Sequence, residues 1–154
     1  MRLNIHDRLD IQELIHRCNW ANDSGNSEEW SDCFEPEGQF DSLGGTITGR
    51  PALARFAEQV WSGSDPAWSR FRGSMHCINN LAIDGNSDRA HARCYLFILA
   101  PTVEHEAKII LVGHYSDELR KVDGRWYFSK RVLRHWPSDA VHARIDVSAA
   151  HPSS

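Results

Sequence analysis

The chain lacks a CxxC pair, a GxSxG elbow, an HExxH or HxH cluster with a third ligand, and any apolar run near the roughly 20 residues of a membrane span. Without paired cysteines there is no thioredoxin-like redox motif and no zinc knuckle, and Cys18, Cys33, Cys77 and Cys94 read as free thiols that serve as small core residues. The histidines of the second half, His91, His105 and His114, have no metal-ligand spacing, so no metal and no cofactor are expected. The missing elbow argues against a serine nucleophile, although Ser74 stands two residues before His76. Excess positive charge is absent as well: 17 Lys and Arg face 21 Asp and Glu, the formal net charge is −4, and the basic residues are scattered. That leaves no electrostatic footprint for a phosphate backbone, so nucleic acid is not expected as a partner. The first residues, Met1 to Asp7, carry one arginine and no apolar stretch, which predicts neither a signal peptide nor a membrane anchor and a cytoplasmic location.

What the chain has is apolar and aromatic material: 154 residues, 41% hydrophobic, with six tryptophans, enough for the core of one globular domain. That domain is expected over residues 1–137, with 138–154 as a tail that is either a flap or a loose end. From Asp7 to about Asn22, Ile11, Leu14, Ile15 and Cys18 recur at helical spacing, with Asp7 or Asn4 as cap. The cluster Asp23-Ser24-Gly25-Asn26 breaks this helix, and Ser27-Glu28-Glu29-Trp30 reads as the cap and acidic first turn of a second one reaching Phe34. Glu35-Pro36-Glu37-Gly38 reads as a turn, Gln39-Phe40-Asp41 and Thr46-Ile47-Thr48 as a hairpin, and Pro51 to Trp61 as a third helix. The rest is strand-like: Met75 to Asp84, Arg89 to Leu99, Lys108 to Arg120 and Arg125 to His135, with hairpin signals at Asp84-Gly85 and Asp123-Gly124. Helices first and a long antiparallel meander after them predict an α+β fold.

Alternation in β-rich segments sorts their side chains by face. Ala92, Cys94, Leu96 and Ile98 share one face, while His91, Arg93, Tyr95 and Phe97 share the other. Both faces carry substantial side chains, which predicts that one lines an interior and the other a subunit interface, in a homo-oligomer that is either a dimer or a trimer.

Three helices followed by a strongly curved sheet resemble the cone-shaped barrel of the nuclear transport factor 2-like superfamily. Asp23-Ser24-Gly25-Asn26-Ser27-Glu28-Glu29-Trp30 with Cys33-Phe34-Glu35-Pro36-Glu37-Gly38 is similar to the helix 1–helix 2 signature of its SnoaL-like family. Gly49-Arg50-Pro51-Ala52-Leu53, Met75-His76-Cys77-Ile78-Asn79-Asn80 and Gly124-Arg125-Trp126-Tyr127-Phe128-Ser129-Lys130-Arg131 continue the likeness in order, over roughly residues 8 to 136. Within the family the chain resembles the group of hexachlorocyclohexane dehydrochlorinase, scytalone dehydratase and bile-acid 7α-dehydratase. The resemblance implies a mixed, mainly antiparallel sheet and a catalytic set of His76, Asp23 and Arg131.

In such a set His76 would be the general base, Asp23 its orienting carboxylate, and Arg131 the holder of substrate or leaving-group charge. The position that carries a lysine or tyrosine helper in those enzymes is Cys18 here, a poor hydrogen-bond donor, which leaves His135, four beyond Arg131 on the same strand face, as helper. Cys18, Trp20, Leu96, Ile98, Leu111, Leu133 and His135 are expected to bind the substrate. Duller alternatives stand beside these: Asp23 as a helix terminator, His76 as a structural histidine, and Trp61, Trp68, Phe71, Trp126 and Trp136 as core or as cone lining. The reaction implied is a cofactor-independent β-elimination on a small hydrophobic cyclic or aromatic substrate. An isomerase or cyclase would use the same dyad, and a non-catalytic small subunit of a ring-hydroxylating dioxygenase would share the fold.

Overall fold

The computed structural model describes residues 3–137. The tail expected from residue 138 onward lies outside them. Helix α1 spans Ile5–Asp23, and Asn4 caps it by accepting the Asp7 backbone N–H at 2.9 Å. Asp7, the other cap expected, does something else. It is buried and accepts from Lys121 Nζ at 2.6 Å and from Trp126 Nε1 at 3.0 Å, tying the first turn of α1 to the far end of the sheet. Helix α2 covers Ser27–Asp32, and its cap is Asn26 rather than Ser27, with the Asn26 side chain accepting from Glu29 N at 3.1 Å. Helix α3, Arg50–Ser62, has Pro51 in its first turn and stops at Gly63, whose φ of +70° is left-handed.

Six strands follow and interleave: β1 Phe34–Ser42, β2 Gly45–Thr48, β3 Met75–Gly85, β4 Arg89–Pro101, β5 Ala107–Val122 and β6 Arg125–His135. They form one sheet in the order β2-β1-β6-β5-β4-β3, with β1 parallel to β6 and every other pairing antiparallel. The sheet is mixed, as expected, but it does not close: β2 and β3 are its two edges, so the barrel expected from the family is an open, curved sheet. The expected turn Glu35-Pro36-Glu37-Gly38 is instead a bulge inside β1, where the register against β6 shifts between Phe34 and Gln39. Gly38 is required there because a Cβ would stand 2.8 Å from the Phe34 Cβ and 2.9 Å from the Phe128 carbonyl oxygen.

One face of this sheet carries the core. Along β4 the buried residues are Ala90, Ala92, Cys94, Leu96 and Ile98, and along β5 Leu111, Gly113, Tyr115, Asp117 and Leu119, each at every second position. Helix α1 packs against β3 and β6 through Ile11, Leu14, Ile15 and Cys18, and α2 and α3 pack on each other and on β1. A short 3₁₀ turn, Ser69–Phe71, leads into β3.

Candidate active site

The last turn of α1 meets the start of β3. Asp23, the final residue of α1, places Oδ1 2.5 Å from His76 Nδ1, while its Oδ2 accepts the His76 backbone N–H at 2.9 Å. The turn that ends the helix is made by other groups: Ser24 N and Oγ donate to the Trp20 carbonyl, and Gly25 takes a φ of +75° under the Trp61 indole, which a Cβ would strike. The Asp23 carboxylate is thereby free to bind the histidine. Since an ionised carboxylate only accepts, the network assigns the neutral imidazole proton to Nδ1 and leaves the lone pair on Nε2. Nε2 lies 3.3 Å from Asn22 Nδ2, which donates to it.

This imidazole borders a cavity between the sheet and the helices. Trp30, Phe40, Phe56, Trp61, Trp68 and Phe71 make its aromatic walls, with Ile98 and Leu133 on the sheet side. The rings meet edge to face, Trp30 with Phe40 at 5.6 Å and Phe56 with Trp68 at 5.5 Å between centroids. The polar groups on the lining are Asn22, Ser42, Ser74, His76, Tyr115 and Arg131.

Arg131 is buried, with 1% of its surface exposed, and it is already partnered. Its Nε and Nη2 donate to Asp117 Oδ1 and Oδ2, both at 2.9 Å, and its plane stacks 4.1 Å from the Tyr115 ring centroid and 4.2 Å from that of Phe128. Nη1 reaches Asn19 Oδ1 at 3.4 Å and Cys18 Sγ at 3.5 Å. Burial pushes the Asp117 carboxyl up against the pull of Arg131. Burial is also the largest single influence on the guanidinium and opposes its charge, but the charge and hydrogen bond of Asp117, together with Cys18 and Tyr115, outweigh it and hold Arg131 well above the ordinary arginine value. Both Asp117 oxygens accept, which requires the carboxylate, so the two form an ion pair. Arg131 thus reaches the cavity lining already paired, with Asp117 taking two of its five N–H donors.

Of the other expected substrate contacts, Ile98 and Leu133 line the cavity and five do not. Cys18 is buried beside Arg131, where burial pushes its thiol well above the ordinary value and keeps it neutral. Leu96 and Leu111 are core residues off the lining. Trp20 is 75% exposed, because it stands off the stripe of α1 formed by Ile11, Leu14, Ile15 and Cys18. His135 has the strand parity of Arg131 and Leu133 but is exposed at the last position of β6, since parity selects a face and burial also needs something packed over it. Among the aromatics left open between core and lining, Trp61, Trp68 and Phe71 line the cavity. Trp126 is buried against Asp7, and Trp136 packs on Tyr95 and His114.

The site also holds residues that were not foreseen, among them Asn22, Asp117, Tyr115 and the walls Trp30, Phe40 and Phe56. A signal existed for two of them, because Tyr115 and Asp117 interrupt the inward parity that Leu111 and Leu119 define in β5. A charge on an apolar face opposite Arg131 of β6 announces a pair. Asn22 carries no such signal, being one polar residue at a helix end. Among the described residues no three His, Cys, Asp or Glu side chains are grouped to hold a metal ion, and no helix is long and apolar enough to cross a membrane.

Helices laid over the concave face of a curved mixed sheet, with a His–Asp pair at the edge of an aromatic cavity, define a cystatin-like, nuclear transport factor 2-like α+β protein. Within that class the chain belongs to the SnoaL-like domain family, whose pattern matches residues 4–132. Among curated proteins none matches the sequence. A solved structure similar to it is Rv3472(D26N), a protein of unknown function from Mycobacterium tuberculosis, with 28% identity, 95% of this chain and 80% of that chain covered, and a TM-score of 0.75. A putative scytalone dehydratase from Novosphingobium aromaticivorans has 27% identity over 86% of this chain and 85% of its own, with a TM-score of 0.69. LinA, at 23% identity, 84% and 86% coverage and a TM-score of 0.70, shares the fold.

Proposed function

We propose that this chain is a cofactor-independent lyase that removes the elements of water or of a hydrogen halide from a small hydrophobic cyclic or aromatic substrate. The observation that carries the reading is the 2.5 Å contact of His76 Nδ1 with Asp23, on an imidazole whose other nitrogen adjoins the aromatic cavity. Substrate entering the cavity displaces the Asn22 amide from Nε2. The Nε2 lone pair then takes the proton from the carbon next to the one bearing the leaving group. The C–H electrons become the new double bond, and the leaving group departs with its own bonding pair, either as halide or as a hydroxyl that takes the proton from the His76 imidazolium and leaves as water. Asp23 holds the ring in place and stabilises the imidazolium that forms. The resemblance to a putative scytalone dehydratase supports elimination among the reactions such a base could run.

Screening cyclic and aromatic alcohols and halides for loss of water or halide by mass spectrometry tests this directly. Turnover of one of them, abolished in both His76→Ala and Asp23→Asn, is the expected result; turnover that survives both substitutions sinks the proposal. An isomerisation by the same dyad would appear in that screen as a product of unchanged mass. For the face of the sheet that carries His91, Arg93, Tyr95 and Phe97, the proposed partner is a second copy of the chain, and sedimentation velocity showing only a monomer would refute it.

A further inference from the structure

The polar groups of the cavity are nearly all occupied. The Ser74 hydroxyl donates to the Phe71 carbonyl at 2.7 Å and the Ser42 hydroxyl to the Gly45 carbonyl at 2.8 Å. Arg131 spends four of its five N–H donors on Asp117, Asn19 and Cys18, and His76 Nε2 faces the Asn22 amide. Tyr115 differs from them. It is 3% exposed and lines the cavity, and among the described residues its hydroxyl makes no hydrogen bond. Among the described residues the sealed polar atoms without a partner are Arg17 Nε and His114 Nδ1, so the Tyr115 oxygen stays reachable from the cavity, and a donor left open on an otherwise satisfied lining marks where a ligand supplies an acceptor. Burial also pushes this phenol up, against the pull of Arg131, so Tyr115 stays protonated and is a donor at any working pH.

We infer that Tyr115 is a substrate-binding residue whose hydroxyl donates to a neutral oxygen, carbonyl or hydroxyl, on a compact apolar ring. This rests on the proposal that the aromatic cavity is the substrate site, and it narrows that proposal toward oxygenated substrates over halocarbons. A halogen on carbon is a weak acceptor and would leave the phenol unsatisfied. A carboxylate would add a second negative charge beside Asp117, whose charge already balances Arg131, and burying an unpaired charge is costly.

The test compares 1-indanone with indane, which differ by one carbonyl, using quenching of the cavity tryptophans to follow binding. Tyr115→Phe is expected to weaken 1-indanone about tenfold while indane stays within about twofold. His76→Ala is expected to leave that contrast intact, which separates this inference from the lyase reading, whose failure shows as turnover surviving in the dyad variants. Equal effects of Tyr115→Phe on both ligands, or a wild-type protein that binds neither, overturn the inference. Should Tyr115→Phe fail to fold, a wild-type crystal soaked with 1-indanone decides: a carbonyl within hydrogen-bond distance of Tyr115 Oη supports it, and one directed at Asn22, His76 or no polar group refutes it.

Discussion

Two aspartates of this cavity each hold a basic side chain, and the pairs differ in what they leave free. Asp117 and Arg131 face each other on neighbouring strands, 1% and 2% exposed at their side chains, and both Asp117 oxygens are used on the guanidinium. Asp23 and His76 come from a helix end and an edge strand, with side chains 18% and 9% exposed, and Asp23 uses both oxygens as well. The second pair nevertheless keeps a functional atom in reserve, because imidazole has a nitrogen on its far side that the carboxylate does not touch. A guanidinium clamped through Nε and Nη2 keeps Nη1, which Asn19 and Cys18 occupy, and one further N–H on Nη2. One pair is therefore equipped to exchange a proton, and the other to anchor β5 to β6 beneath the cavity floor.

Substitutions that break each pair should separate these roles. The largest effect is on chemistry: His76→Ala is expected to lower turnover of a substrate found in the screen by roughly 100- to 10,000-fold. Urea unfolding of that variant should show a loss of about 1–3 kcal/mol, because the mostly buried Asp23 carboxylate loses the imidazole and keeps the backbone N–H at position 76. Asp117→Leu should do the reverse in kind, lowering stability by about 3–5 kcal/mol because it strands a buried guanidinium, as urea melts would register. Adding Arg131→Met to Asp117→Leu should recover most of that loss. A double variant no more stable than the single one would show that the pair is more than a structural anchor.

Asp7 makes a third contrast, a buried carboxylate that serves stability alone. The Lys121 hydrogen bond outweighs burial and holds its pKa below the ordinary aspartate value. A carboxyl with a depressed folded value stabilises the fold above its unfolded value of about 3.9, and that contribution drains away as pH falls further. Asp7→Asn should therefore cost about 1–3 kcal/mol at pH 7, and the gap from wild type should shrink below about pH 4. A gap independent of pH would mean that the Trp126 contact and packing, not the charge, carry it. Smallest is the cap of α2, where Asn26→Ala should cost about 1 kcal/mol in urea melts and leave the His76 chemistry untouched.

Much of this architecture was legible along the chain. The apolar stripe of α1, Pro51 opening α3, the Asp84-Gly85 and Asp123-Gly124 hairpins and the alternation in β4 are signals held within a few residues, and each element formed where its signal lay. Where a local signal was overruled, a distant group did the overruling. Glu35-Pro36-Glu37-Gly38 has turn composition, yet pairing with β6 draws it into β1 as a bulge. Asp7 has the chemistry of a cap, yet Lys121 and Trp126 claim its carboxylate from more than a hundred positions away. In the site, Asp23 and His76 stood out through the order of the motifs, while the partner of Arg131 and the exclusion of Cys18, Trp20, Leu96, Leu111 and His135 from the cavity lining did not.

By itself, then, the sequence determined the elements and the family, because helix and strand periods, caps and tight turns are set by side chains within one or two turns of each other. Only the tertiary structure decided what each charged group does. Asp23 finds His76 across 53 positions and Arg131 finds Asp117 across 14, and the cavity exists only where α2, α3 and the sheet enclose it. A charge taken out of water must find its counterpart wherever packing brings one. That choice belongs to the folded chain as a whole.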